Sequence, residues 1–111
     1  MRILAIERDR PTPAQANLHD LIRHEAAGIW ELFKRDIIRD LWFTAGDRHA
    51  IIMLECANAV EARKYLAALP MVQSSLIDFT VYELRNYDGF EQLFSTGTEP
   101  VAIKQEEPAE Y

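Results

Sequence analysis

Glu25 is the residue whose surroundings argue most strongly for chemistry in this chain of 111 residues. On a helical wheel, Leu18, Leu21, Ile22, Ala26, Ile29, Leu32 and Phe33 form one apolar stripe, with Asp20, Arg23, His24, Glu31, Lys34 and Arg35 opposite. Glu25 falls near the middle of the apolar stripe. A carboxylate facing apolar groups is costly when ionised, so its pKa rises, which suits a general base or acid near neutral pH. The competing role is structural: an ion pair, for instance with Arg39, or a stripe edge open to water. His49 is the second candidate, since an imidazole with an ordinary pKa of about 6.5 is a natural proton shuttle. A surface histidine at the end of a hairpin is the competing description.

Three further residues have side chains that suit ligand binding. Arg39 can hold a ligand carboxylate bidentately, or else pair with Asp36 or Asp40. Trp42 and Tyr82 can wall a pocket for a flat ligand, although core or interface packing explains such rings equally well. His19 and His24 are five residues apart, not the i, i+4 spacing that turns two imidazoles to one metal, so no metal is expected. No cofactor is expected either. Cys56 is the single cysteine, which excludes an intrachain disulfide and a cysteine-based zinc site. Its place on an apolar strand suits a buried hydrophobe.

The elements that must position these residues follow from period and punctuation. Ile3–Glu7 alternates as a strand, ended by Arg8-Asp9-Arg10-Pro11. Thr12 as N-cap, Pro13 at the first helical position and Gln15 three residues after the cap predict a helix from there to about Asp36. Gly28 borders its stripe and permits a close neighbour. The stretch RDLWFTAGDRHAIIMLEC reads as a hairpin, with strands over Leu41–Ala45 and His49–Cys56 about a turn at Gly46-Asp47-Arg48. Asn58 and Glu61 form a second capping signal, and Pro70 is expected to stop that helix. A connector over Met71–Leu76 then leads into a strand over Ile77–Leu84.

The order is β-α-β-β-α-β, an α+β ferredoxin-like arrangement: a four-stranded antiparallel sheet with two helices on one face. Ile51 and Met53 alternate with Ile52 and Leu54, so both faces of that strand are apolar and the second face needs cover. A sheet from another subunit supplies it, which predicts a homodimer or larger homo-oligomer.

Residues 1–94 are expected to form one domain. Its last part, 85–94, holds three aromatics and a leucine and is expected to dock, across the dimer for instance. Residues 95–111 read as a disordered acidic tail. The net charge of −6, the pI near 5.0 and the lack of a basic run argue against nucleic acid as a partner. No apolar run approaches the roughly 20 residues needed to span a membrane. The N-terminus gains charge too quickly for a signal peptide, so a cytoplasmic protein is expected.

At RDLWFTAG, followed by LEC, VEA and ALP, the chain resembles the muconolactone Δ-isomerase-like family of dimeric α+β barrels, to which YCII-type proteins are related in fold. The resemblance runs from about Glu25 to Phe94 through Arg39, Leu41, Trp42, Ala45, Gly46, Val60, Glu61, Ala62, Leu69 and Pro70. It implies proton transfer beside the carbonyl of a small unsaturated lactone, without metal or organic cofactor, and places Glu25 where the isomerases also carry a glutamate. Glu25 would then be the base, Arg39 and His49 polar supports, and Trp42 and Tyr82 pocket walls. Phe43 stands where those isomerases carry an arginine. A cofactor-free monooxygenase and a non-catalytic dimeric module that binds a small ligand or a protein are the alternatives the fold allows.

Overall fold

Strand β1 (Arg2–Asp9) lies inside the sheet, and Ile3 and Ala5 on one of its faces are fully buried. The computed structural model describes residues 1–11 and 16–94. After β1 come α1 (Leu18–Lys34), β2 (Ile38–Phe43), β3 (Ala50–Glu55), α2 (Ala59–Ala67), α3 (Pro70–Gln73) and β4 (Ile77–Glu83), then a 3₁₀ turn over Gly89–Leu93. The sheet runs β2-β3-β1-β4 with every neighbouring pair antiparallel. This is the expected split βαβ topology, in which β3 is inserted between β1 and β2.

Register decides what each face carries, because paired residues share a face. Ala5 lies opposite Ile52, and Ile3 opposite Leu54. These side chains form the core with Leu32 of α1, Ala62 and Leu66 of α2, and Leu69. On the other face Leu4 lies between Met53 and Tyr82, Ile6 opposite Ile51, and Trp42 opposite Ile51. Leu4, Ile6, Ile51 and Met53 are half-buried there, while Trp42 and Tyr82 are half exposed. The predicted two-sided apolar character of β3 is therefore present.

Several local expectations need correction. β1 does not end at Glu7 but runs to Asp9, because β4 pairs with it through Arg8↔Asp78 and Asp9↔Ile77. Arg8 Nε donates to Asp78 Oδ1 at 2.8 Å on the outer face, so charge there does not stop the strand. The capping signal at Thr12, Pro13 and Gln15 lies outside the described residues, and Ala16-Asn17 form a turn before α1. β2 begins at Ile38, three residues before the expected Leu41, and its register slips between Ile38 and Asp40. His49 belongs to the turn: its N–H donates to Thr44 Oγ1, and its carbonyl accepts from Thr44 N, both at 2.9 Å. α2 ends at Ala67 and Leu69 is extended, as the residue before a proline prefers, but Pro70 has a second role. It opens α3, where its missing N–H is no loss at the first position.

Other local signals act as the sequence implies. Glu61 N donates to Asn58 Oδ1 and Glu61 Oε2 accepts from Ala57 N, both at 2.9 Å, completing a capping box shifted by one residue. A Cβ at Gly28 would lie 3.1 Å from Leu69 Cδ2, so the glycine lets the start of α3 close on α1.

Candidate functional site

The alternation that buries Ile3 and Ala5 continues along β1 and turns Glu7 and Asp9 to the same, helix-bearing face. The antiparallel neighbour β3 begins at Ala50, which brings His49 beside the end of β1. His49 Nε2 lies 2.9 Å from Asp9 Oδ2. One donor atom each of Glu7, Asp9 and His49 lies within 4.8 Å of the others. α1 supplies Glu25, which is only 6% exposed. Its Oε1 accepts from Met71 N at 3.0 Å. Because Pro70 has no N–H, Met71 is the first donor of α3, and Glu25 satisfies it from a neighbouring helix.

The electrostatics of these groups are coupled. Burial raises the pKa of Glu25, the Met71 N–H opposes that, and the negative charge of Glu7 adds to the rise. Burial likewise raises Glu7, against a backbone hydrogen bond from Ala50 and the attraction of His49, with Asp9 pushing it further up. The hydrogen bond to Asp9 is the main reason that the pKa of His49 is raised, and the charges of Asp9, Glu7 and Asp47 add to it. The cluster thus holds carboxyls inclined to stay protonated beside an imidazole inclined to stay charged. Carboxyls of raised pKa beside an imidazole of raised pKa are groups suited to passing a proton between them. Two carboxylates and an imidazole are also hard and borderline metal donors.

Of the residues singled out in the sequence, Glu25 and His49 both feel the charge of Glu7. Arg39 is elsewhere. Its Nε donates to the carbonyl of Asp36 at 2.9 Å, and it lines a polar hollow with Arg2, Asp40, Met53 and Glu55. That hollow lies beside Arg2, five residues or roughly 17 Å along β1 from Glu7. The ion pair with Glu25 that the sequence left open is not made; Glu25 meets a backbone N–H instead. Trp42 lines an apolar groove of about 540 Å³ between α1 and β2, with Ala26, Ile29, Trp30, Phe33, Leu41 and Phe43. Tyr82 faces away from the helices, opposite Leu4. Cys56 is buried, and burial raises its thiol pKa, as suits an inert hydrophobe.

Glu7 and Asp9 are the site residues that sequence reasoning missed. Their signal was present in the alternation Ile3, Ala5, Glu7, Asp9, but ending the strand at Glu7 turned Asp9 into a terminator. No helix among the described residues is long and apolar enough to cross a membrane.

Comparison with protein-family models and with curated proteins finds no match to this chain. Among solved structures, a muconolactone isomerase superposes with a TM-score of 0.67 at 17% identity, covering 91% of this chain and all of that one. The 5-chloro-2-hydroxyhydroquinone dehydrochlorinase of Burkholderia phenoliruptrix, solved with 2,5-dihydroxybenzoquinone, superposes with a TM-score of 0.58 at 18% identity. It covers 80% of this chain and 98% of its own. The chain therefore has the muconolactone isomerase fold, as its resemblance at the central hairpin implied.

Proposed function

We propose that this chain is a cofactor-independent acid–base protein that moves a proton on a small unsaturated lactone or related metabolite. Glu25 is the base, His49 is the proton-carrying partner held by Asp9, and Glu7 couples their charges. The observation that carries this reading is a buried carboxylate, raised in pKa, beside Glu7 and the His49–Asp9 pair. Two proteins of the same fold act, by their names, on muconolactone and on a chlorinated hydroxyhydroquinone, both small unsaturated oxygenated molecules. The charges that act on Glu25 and Glu7 come from Glu7, Asp9 and His49. An uncharged substrate suits that environment better than a carboxylate does. Arg39, Trp42 and Tyr82 face other parts of the surface and take no part in the step.

Turnover of neutral unsaturated lactones, followed by ultraviolet absorbance, tests this. Glu25→Gln should lower kcat/KM by about 10² to 10⁴, the usual contribution of a general base. Equal rates in the variant and the parent would remove Glu25 from the mechanism.

A second reading rests on the Glu25–Met71 hydrogen bond, which gives the carboxylate a structural task. Under it the chain is a non-catalytic dimeric module, and saturable binding of the same lactones without turnover supports that reading. On either reading the chain associates as a homodimer through the face bearing Leu4, Ile51, Met53 and Tyr82, whose half-buried apolar side chains support it.

A further inference from the structure

The segment after β4 carries Tyr87, Phe90, Leu93 and Phe94, which are 76%, 66%, 60% and 81% exposed. Phe90, Leu93 and Phe94 are spaced i, i+3, i+4 through the 3₁₀ turn, and Tyr87 meets Phe90 edge to face with ring centroids 5.0 Å apart. A preformed aromatic arm thus stands in solvent, which is unusual for side chains of this kind. On the same chain, the groove between α1 and β2 is lined by Trp30, Phe33, Leu41, Trp42 and Phe43, all exposed. Arm and groove share a chemistry but not a location. The arm leaves β4, one edge of the sheet, beside Arg2, where Leu84 N donates to the Arg2 carbonyl. The groove lies along β2, the opposite edge, where Trp42 pairs with Ile51 and Ile51 with Ile6, four residues further along β1.

We propose that the groove of one copy receives the aromatic arm, residues 87–94, of a second copy. The charges agree with this pairing. Arg48 stands over the Phe43 ring at 4.6 Å, which puts a cation at the groove's rim; Lys34, over Trp30 at 5.8 Å, is already paired with Glu31 at 2.7 Å. The arm brings exposed Asp88 and Glu91, and the sequence after it adds Glu99, Glu106, Glu107 and Glu110. Each copy offers one arm and one groove: a reciprocal exchange of arms closes a two-fold, isologous dimer, whereas a one-way relay is heterologous and builds a ring. None of this depends on chemistry at Glu25.

Two measurements on the full chain test it. In a Cys56→Ser background, one protein carries Ala26→Cys and another Leu93→Cys. Oxidising the mixture should give a disulfide-linked pair with one chain of each kind. Both tryptophans of the chain line the groove and the arm has none, so in a Trp42→Phe background Trp30 alone reports occupancy. Replacing Phe90 and Phe94 together by serine should shift its emission to the red and abolish the cross-link, with the circular dichroism spectrum unchanged. Dilution of the parent should produce the same red shift as its mass falls. The proposal is overturned by an emission that ignores both dilution and the double substitution. It is equally overturned if the mixture forms no mixed pair while a chain carrying both Ala26→Cys and Leu93→Cys forms the disulfide within itself, which would place the arm in its own groove.

Discussion

Burial favours the neutral acid at Glu25, whereas the Met71 N–H favours the carboxylate, and burial is the larger effect. The folded chain therefore holds this proton to higher pH than the unfolded chain does. Stability falls as pH rises from the ordinary glutamate pKa through the raised one, and is level above it. Glu25→Gln removes that descent and keeps an oxygen for the Met71 N–H. Urea titrations should find it more stable than the parent at pH 8, with the difference shrinking as pH falls below the raised pKa. Glu25→Leu leaves the N–H without an acceptor and should be less stable than Glu25→Gln by about 1–3 kcal/mol at pH 8. The inward direction of Glu25 was legible in the helical period. Its partner was not, because Met71 lies 46 residues away on an element that the sequence reading took for a connector.

At the scale of the element, α1 ends in a Schellman motif. Ile37 N donates to the Leu32 carbonyl at 3.0 Å and Asp36 N to that of Phe33 at 3.1 Å, with Asp36 at φ 60°. An aspartate in that left-handed conformation is strained relative to glycine. Asp36→Gly should stabilise the fold by about 0.5–1 kcal/mol, seen as a higher urea midpoint at an unchanged slope. Placing the helix end near Asp36 was possible because the apolar stripe runs out there. The signals at Asn58 and Gly28 were likewise legible, since each acts within a turn or at one close contact. Pro70 was read only as a stop, although proline both ends one helix and suits the first turn of the next; its second role required the chain beyond it to be seen folding back onto α1.

At the scale of the molecule, the helix-free face of the sheet carries half-buried Leu4, Ile6, Ile51 and Met53 outside the core. Met53 is half-buried on that face, between Leu4 of β1 and Asp40 of β2. A carboxylate there would be desolvated without a partner in a sheet-to-sheet interface. Met53→Glu should lower the mass measured by light scattering at micromolar concentration, and should bring it to that of one chain when Phe90 and Phe94 are also replaced by serine, with the circular dichroism spectrum retained. A parent chain that is already a monomer under those conditions would remove the interface.

The sequence by itself determined the β-α-β-β-α-β order, the buried direction of Glu25, the capping of α2 and the two-sided apolar character of β3. Each of these is a matter of period or punctuation within one element, and local sterics and hydrophobic alternation are enough to set it. Only the tertiary structure decided that Glu7 and Asp9 join His49, that Glu25 accepts from Met71 N at the start of α3, that Arg39 lines a hollow beside Arg2, and that Tyr82 faces away from the helices. Periodicity says which face a residue occupies. Which strands are neighbours, and in what register, depends on contacts between elements far apart in the chain, and those contacts turned Glu7, Asp9 and His49 into one cluster.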